Sequence, residues 1–439
     1  MNLKAKRFET RMSGVARLAS MAILMALVSH PLPVFAQGDA DKIKISDPNV
    51  SDEPKKENVN TIPGFEPKAL ADFRGKMPFK SIDFPAMIKA DEATFMEDSD
   101  YVLGFSEDGM SRAYPLKMAW FHHVINDKIV SPGGKESFFA ISYCSVCNTG
   151  IRYDSNVNGK PILLDFYGLY YGVVALCDRD TESVWLQASG IACKGARAGS
   201  KLTTRTLLNI TWARWKALHP DTQVMSQETP FKKYYANDKR GYPTLPGFFL
   251  PTITRVDPRL PFTEMVLGVI GPDVQAAKPS DTKSKTSEKS DPQKGTIEKA
   301  VEKDSATNEP PLATARAYSL KTLKEQSNVV NDTLSTTPLV VFFDEEGDTA
   351  AAYSRELDGK LLTFEAKKLP SGKVLLYDRE TGSRWNIEGK SEEGKLMGKK
   401  LSPLLSHLSE WYGWAGYFPQ TSVFGKNEPP NSQKFNPQK

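Results

Sequence analysis

The sequence predicts an α+β protein built from two tandem, homologous units, each mainly antiparallel β-sheet with about two helices. Three observations predict this class. A long motif occurs twice along the chain, short apolar segments alternate with Gly, Asp and Asn turns, and helix-like segments accompany the strands of each copy. The chain has 439 residues. A single core stops growing near ~250–300 residues, so two units fit this length.

The internal repeat is clearest around the tryptophans. Residues 177–185, with the sequence CDRDTESVW, recur downstream as residues 377–385, YDRETGSRW. The spacing of Trp212 and Trp215 likewise recurs at Trp411 and Trp414. One copy therefore serves as a control for the other. We assign residues kept in both copies to the fold, and residues found in one copy become candidates for chemistry.

Both copies predict the same order of elements. A hairpin comes first, then a helix, a buried strand, further short strands and a closing helix that holds the paired tryptophans. In the first copy we expect the helix at residues 116–125, the buried strand at 138–143, and further strands at 162–167, 173–177 and 184–188. In the second copy the helix and buried strand are expected at residues 320–329 and 339–343.

The N-terminus has the features of a secretory signal peptide. A basic head precedes a short apolar stretch, and Val34-Phe35-Ala36 is typical of a cleavage site. The apolar stretch is shorter than the ~20 residues of a spanning helix, so we expect no membrane span in the mature chain. We therefore expect an exported protein, periplasmic or extracellular, that is cleaved near Ala36.

Composition predicts the remaining boundaries, because polar and proline-rich segments cannot bury enough apolar surface to fold. The expected segments are a signal peptide at 1–36, a disordered spacer at 37–60, repeat 1 at 61–226, a proline- and aromatic-rich connector at 227–260, repeat 2 at 261–424 with a disordered insert at 275–314, and a disordered tail at 425–439.

The distribution of charge argues against a nucleic-acid partner. The formal net charge of the chain is +4. Residues 1–36 hold five basic side chains and one acidic one, so the signal peptide accounts for the whole excess. The mature protein is close to neutral and lacks the basic footprint that nucleic-acid binding requires. The sequence names no other partner and no oligomeric state.

Sulfur and imidazole are concentrated in the first copy. Cys144 and Cys147 follow directly on the expected buried strand, and the second copy has Asp344 and Gly347 there. Two thiols separated by two residues can point at one centre, which suits a metal ion or a redox disulfide. The next residues, Asn-Thr-Gly, are typical of a turn rather than of a helix start that would lower a thiol pKa.

Three histidines are the candidate partners of these thiols. His123 and His219, with His122 as the alternative to His123, would complete a Cys₂His₂ zinc site, and a copper site is also chemically reasonable in an exported protein. Adjacent residues on a helix lie ~100° apart, so at most one of His122 and His123 faces a given centre. Alternatively, His219 simply ends the closing helix before Pro220.

The other two cysteines are predicted to stay apart. If the strands around Cys177 and Cys193 form a meander, these residues flank a middle strand and lie ~9–10 Å apart. That separation exceeds the reach of a disulfide unless the sheet curls. Two buried thiols, or one bridge under the sheet, are the structural interpretations.

Several motifs together resemble the bacterial family catalogued as domain of unknown function 3179 (DUF3179). The matching segments are residues 112–116 (RAYPL), 123–127 (HVIND), 143–150 (YCSVCNTG), 178–187 (DRDTESVWLQ) and 219–222 (HPDT). The resemblance implies an exported, two-part architecture that carries the thiol motif, and it implies no activity.

Three hypotheses of function stay open at this stage. The first is an exported metal-binding protein, with Cys144 and Cys147 as ligands and the histidines as partners, holding zinc or copper. The second is a thiol-disulfide oxidoreductase that uses the same two cysteines. The third is a structural or interaction module stabilised by a disulfide.

Overall fold

The protein is mainly β. The computed structural model describes residues 59–131, 133–235, 249–271, 314–430 and 432–434. Strands make up 45% of the structure and helices 11%. The predicted α+β class with about two helices per unit is therefore wrong. The α-helices have only six or seven residues, about 10 Å of rise, and a helix of that length cannot form a layer against a sheet.

The helices are shorter than predicted because a strand begins soon after each of them, although apolar residues continue along the sequence. The helix expected at residues 116–125 ends at His122. His123 adopts a left-handed backbone conformation with φ of 59°, and the next strand starts at Val124. Left-handed residues commonly terminate helices. The helix expected at residues 320–329 likewise ends at Glu325.

Repeat 1 contains most of the strands and two of the short helices. Its elements are β1 (Leu70–Asp72), β2 (Ile82–Asp83), β3 (Met87–Lys89), β4 (Tyr101–Glu107), β5 (Met110–Pro115), α1 (Leu116–His122), β6 (Val124–Val130), β7 (Glu136–Cys144), β8 (Thr149–Asp154), β9 (Asn156–Val157), β10 (Lys160–Pro161), β11 (Leu164–Tyr170), β12 (Val173–Asp178), β13 (Val184–Leu186), β14 (Ala192–Lys194), β15 (Thr203–Arg205), β16 (Leu208–Thr211), α2 (Trp212–Leu218) and β17 (Gln223–Met225).

The connector contributes β18 (Arg255–Val256), and the tail contributes β32 (Gln433–Lys434). Short 3₁₀ turns occur at Pro67–Ala69, Lys232–Tyr234 and Leu250–Thr252. The elements of repeat 2 are β19 (Met265–Ile270), β20 (Ala315–Ser319), α3 (Leu320–Glu325), β21 (Val329–Leu334), β22 (Thr337–Asp344), β23 (Thr349–Ser354), β24 (Glu356–Leu357), β25 (Lys360–Leu361), β26 (Phe364–Lys368), β27 (Val374–Asp378), β28 (Arg384–Trp385), β29 (Ser391–Glu393), β30 (Ser406–Glu410), α4 (Trp411–Tyr417) and β31 (Ser422–Val423).

The sheets of the two repeats have matching strand orders. Repeat 1 has sheets β16-β4-β5-β17-β3, β15-β8-β7-β6-β2 and β1-β11-β12-β13-β14. The corresponding sheets of repeat 2 are β30-β19-β20-β31, β21-β22-β23 and β26-β27-β28-β29. Parallel pairing is found for β5–β17, β20–β31 and β2–β6. The internal repeat predicted from the sequence is therefore present in the fold.

Residues kept in both copies support the architecture, as the repeat comparison predicted. The Trp185 indole donates to Oδ2 of Asp178 at 2.9 Å, and Trp385 donates to Asp378 at the same distance. Each aspartate also accepts a hydrogen bond from the backbone three residues later. Because both the indole N–H and the carboxylate are buried, this bond satisfies groups that would otherwise be costly to desolvate.

The two repeats complete each other's cores. Trp212 and Trp215 of the closing helix α2 pack in one cluster with Phe342, Tyr353 and Trp385 of repeat 2, among others. Tyr412 of α4 packs in the core of repeat 1. Strand β8 lies beside β30, and β16 lies beside β23. Each closing helix packs on the hairpin of its own repeat and also contacts the other repeat, so the two cores are continuous.

Several expected segments lie outside the described residues. These are the signal peptide 1–36, nearly all of the spacer 37–60, most of the insert 275–314, and parts of the connector and tail. In the portion of the chain that the structure describes, no helix has the length and apolar character needed to cross a bilayer.

Two glycines allow the closing helices to approach the hairpins. A Cβ built on Gly268 would lie 2.1 Å from the Trp414 ring, and one on Gly104 would lie 2.7 Å from Trp215. We expect Gly268→Ala to lower the free energy of unfolding by about 1–3 kcal/mol, because overpacking forces the indole out of its site. Denaturant unfolding measures this. Gly133→Ala, which adds a Cβ with no neighbour within 4 Å, is the matched control, and an equal loss in both variants would contradict the prediction.

Candidate functional site

The two thiols lie in the turn that joins β7 to β8. Cys144 is the last residue of β7 and pairs with Thr149, the first residue of β8. Asn148 closes the turn in the left-handed conformation, with φ of 60°. Both cysteines are fully buried, and the Cys147 thiol donates to Oγ1 of Thr149 at 3.4 Å. This hairpin turn directs two sulfur atoms into one core, and no helix begins at the pair.

Repeat 2 covers this turn with the junction between β30 and α4. The backbone N–H of Glu410 donates to the carbonyl of Cys147 at 2.8 Å. At Gly413 the closing helix passes so near that an added Cβ would lie 2.8 Å from Cβ of Cys147. Tyr412 packs in the same core cluster as both cysteines. The site is therefore composite, with thiols from repeat 1 and a carboxyl and a phenol from repeat 2.

Burial dominates the electrostatics of this site. It raises the pKa of the Glu410 carboxyl to about 8. Burial also raises the pKa of the Cys147 thiol, and its hydrogen bond with Cys144 and the charge of that thiol raise it further. The pKa of Tyr412 is raised by burial and then by the two thiols and Glu410. All three groups are acids that the interior holds in their protonated forms.

Several polar atoms near the thiols have no hydrogen-bond partner among the described residues. They are Oε2 of Glu410, the hydroxyls of Tyr412 and Tyr417, and Oε1 of Gln187. The Gln187 amide nitrogen does donate, to Oγ of Ser142 at 2.7 Å. Buried polar atoms are usually paired, so a cluster of unpaired ones marks a place where a further group can bind.

The corresponding turn of repeat 2 shows the same backbone with different chemistry. Thr211 donates its backbone N–H to the carbonyl of Gly347 at 3.1 Å, as Glu410 does to Cys147. Asp344 occupies the position of Cys144, and Arg214 occupies the position of Gly413. The Arg214 guanidinium donates to Oδ2 of Asp344 at 2.7 Å. The acidic turn of repeat 2 therefore has a cation at this position, which repeat 1 supplies.

His122 is bound to groups away from the thiols. Its Nδ1 lies 2.5 Å from the carbonyl of Lys80, and its Nε2 lies 2.7 Å from the Tyr235 hydroxyl. Burial lowers its pKa, so the ring is held neutral. With both ring nitrogens already in hydrogen bonds, His122 has no atom left for a metal.

His123 and His219 also lie in other surroundings. The His123 ring stacks on Phe79 at 4.0 Å, and burial lowers its pKa to about 3. Its Nδ1 has no partner among the residues described. His219 ends α2, as the alternative interpretation held, and its Nε2 lies 3.0 Å from Oε2 of Glu388. Within the described ranges, no group of three or more His, Cys, Asp and Glu side chains is arranged to hold a metal ion.

The predicted meander around Cys177 and Cys193 is confirmed. Strands β12, β13 and β14 are neighbours in that order, so the two cysteines flank the middle strand. Burial raises the pKa of each thiol to about 12. All four cysteines are free thiols, and the interpretation of this second pair as two buried thiols holds.

Sequence reasoning missed Glu410, Tyr412 and Gly413. The comparison of the two copies selects residues that occur in repeat 1 and are replaced in repeat 2, whereas these three occur in repeat 2 and are replaced in repeat 1. Their counterparts are Thr211, Ala213 and Arg214. Comparing the copies in both directions would have identified them, although their contact with the thiols depends on how the two repeats pack against each other.

A duplicated β fold with one dithiol turn, covered by the opposite repeat, defines the class of protein at hand. The family described as protein of unknown function DUF3179 matches residues 76–310 and 312–437, in two tandem segments. The chain therefore belongs to that family. Neither the curated proteins nor the solved structures contain a match.

The raised pKa of Glu410 predicts that the free energy of unfolding depends on pH. The pKa rises from an ordinary 4.5 to about 8, so the folded protein keeps a proton that the unfolded chain releases. The stabilisation that this proton gives to the folded state is complete below pH 4.5 and is lost as the pH rises through about 8. We expect the unfolding free energy of the native protein, relative to Glu410→Gln, to fall over that interval by at most about 1.4 kcal/mol per pH unit. Parallel curves for the two proteins in urea unfolding would contradict it.

Proposed function

We propose that the protein binds one soft metal ion, Cu(I), through the thiolates of Cys144 and Cys147. The observation that carries this proposal is the hairpin turn, which holds two fully buried sulfur atoms beside one another. The two side chains are near enough that Cys144 contributes to raising the pKa of Cys147. Soft thiolate ligands select Cu(I).

The number of available ligands favours copper over zinc. Structural zinc sites use four ligands in a tetrahedron, and the described residues offer no group of three. Cu(I) forms stable complexes with two thiolates alone. Of the two metals expected from the sequence, copper therefore needs nothing beyond the pair itself.

The contrast between the repeats supports a cation at this position. In repeat 2, the acidic side chain of Asp344 has Arg214 as its counter-ion. In repeat 1, Gly413 leaves that position without a side chain, while two thiols and Glu410 gather there. None of the described Lys and Arg side chains forms an ion pair with Glu410. A bound cation would stabilise the thiolates and release their protons.

A dithiol-disulfide couple is the second candidate, because the two thiols lie in one turn and are separated by only two residues. The raised pKa of Cys147 argues against fast exchange, since the thiolate is the attacking form. The turn also lacks the helix N-terminus that lowers the pKa of a thioredoxin-like cysteine. A stabilising disulfide has the least support, because all four cysteines are free.

The metal proposal is tested by anaerobic titration of the reduced, metal-free protein with Cu(I) against a chromophoric Cu(I) chelator. We expect one Cu(I) per chain, lost in Cys144→Ser and Cys147→Ser, and retained in the matched control Cys177→Ser. Absence of Cu(I) binding by a protein with all thiols reduced would overturn the proposal. If the protein instead loses about 2 Da on mild oxidation through a bridge between Cys144 and Cys147, and binds no copper, the redox candidate is favoured.

The contrast at Gly413 offers a variant that does not touch a sulfur atom. We expect Gly413→Arg to abolish Cu(I) binding, because it places over the thiols a cation like the one that Arg214 places over Asp344. Arg214→Gly, the reciprocal change, should leave Cu(I) binding intact. Circular dichroism checks that both variants fold. Equal Cu(I) binding by a folded Gly413→Arg protein would show that the position does not control the site.

We further propose that the protein is exported, on the strength of its N-terminal basic head, short apolar stretch and cleavage motif. Intact-mass analysis of the protein from the exported fraction should give a chain that begins at Gln37. A chain that retains residues 1–36 would contradict export with cleavage.

A further inference from the structure

A short segment of the connector, residues 249–256, packs against the core that contains the two thiols. We call it the strap. Its Phe249 and Ile253 are buried and belong to the same core cluster as Cys144 and Cys147. The Phe249 ring lies 5.6 Å from the ring of Tyr412. The strap therefore packs on Tyr412 and shares one core with the thiols.

The strap fits against a glycine turn that leaves room for it. A Cβ on Gly172 would lie 2.9 Å from Cγ1 of Ile253 and 3.3 Å from Phe249. Next to this glycine, Tyr171 is buried beneath Arg255, whose guanidinium lies 4.1 Å above the phenol ring. The turn between β11 and β12 and the strap are thus complementary in shape.

Among the described residues, the corresponding position of repeat 2 is a cleft that no strap fills. The cleft of about 690 Å³ is lined by Asp344, Arg214, Gly372 and Trp385, among others. These are the counterparts of Cys144, Gly413, Gly172 and Trp185, which are all buried at the thiol site. A Cβ on Gly372 would meet nothing within 4 Å. The cleft therefore reaches Asp344, the counterpart of the first thiol.

The strap is weakly attached through its backbone. In the described residues, its backbone hydrogen bonds run only within its own 3₁₀ turn and to the two-residue strand β32 of the tail. Its side-chain ties to the body are apolar packing and the contacts of Arg255 with Glu66 and Tyr171. Directly after it, the buried ion pair of Asp257 and Arg259 fixes the chain, with Arg259 donating to the carbonyl of Thr421 at 2.8 Å. Segments with few backbone bonds to the body open before the core does.

We propose that the strap is a lid whose displacement opens a route to Cys144 and Cys147. This inference rests on the proposal that the two thiols are the working groups of the protein. When residues 249–256 leave, the site takes the form of the open cleft in repeat 2, and the ion or reagent reaches the sulfur atoms. The anchored Asp257 and Arg259 are the fixed end about which the strap moves.

The experiment measures how fast each thiol of the folded, metal-free, reduced protein reacts with N-ethylmaleimide, with peptide mass spectrometry to resolve the four cysteines. We expect Phe249→Ala and Ile253→Ala to speed labelling of Cys144 or Cys147 by at least about tenfold, because each removes packing that holds the strap closed. Labelling of Cys177 and Cys193 should keep its native rate, which makes these two thiols internal controls.

Two outcomes would overturn the lid. Unchanged rates at Cys144 and Cys147 would show that the strap does not limit access. A parallel rise at all four cysteines would show that the variants loosen the whole fold. Because no metal is present, the labelling result stands apart from the Cu(I) titration, so the metal proposal and the lid can fail independently.

Discussion

The structure depends on one reciprocal contact, in which the closing segment of each repeat completes the turn of the other. The N–H of Glu410 binds the carbonyl of Cys147, and the N–H of Thr211 binds the carbonyl of Gly347. Around each bond, a closing helix brings its tryptophans into the hydrophobic interior. Hydrogen bonds of this kind add little net energy each, about 1 kcal/mol. Their value is that they fix the register in which the two halves bury each other's apolar surface.

This contact explains why the thiol site has its particular electrostatics. The turn of repeat 1 supplies sulfur, and the junction of repeat 2 supplies a carboxyl and a phenol. Burial raises the pKa of Cys147, Glu410 and Tyr412, so that each of these three acids is kept neutral. In the counterpart site, Arg214 and Asp344 form an ion pair, so the interior there is satisfied by the chain itself. The difference between a filled and an unfilled position follows from one residue, glycine at 413 and arginine at 214.

The sequence alone predicted much of the scaffold. The repeat, the buried strand before the cysteines and the Asp178–Trp185 turn are local patterns, and period-two alternation and turn residues express them directly. The helix lengths were predicted wrongly because apolar residues continue from α1 into β6, and the change of conformation rests on the backbone of His123. Propensity cannot locate a single left-handed residue of that kind.

The site was predictable only in part, for a physical reason. Cys144 and Cys147 are neighbours along the chain, so their proximity follows from spacing. Glu410 and Tyr412 come from the other repeat, and their approach depends on how the two repeats pack together, which no local pattern encodes. The surroundings of His219 have the same origin, because this residue ends α2 at the contact between the repeats and meets Glu388.

The location of both halves on one polypeptide has a consequence for what such a site can become. In a symmetric homodimer, any substitution at the junction would occur at both sites at once, so a glycine over one turn would mean a glycine over the other. A covalent tandem is free of that restriction. Residues 214 and 413 can vary separately. The turn of one repeat can therefore keep its ion pair while the turn of the other repeat acquires a different chemistry.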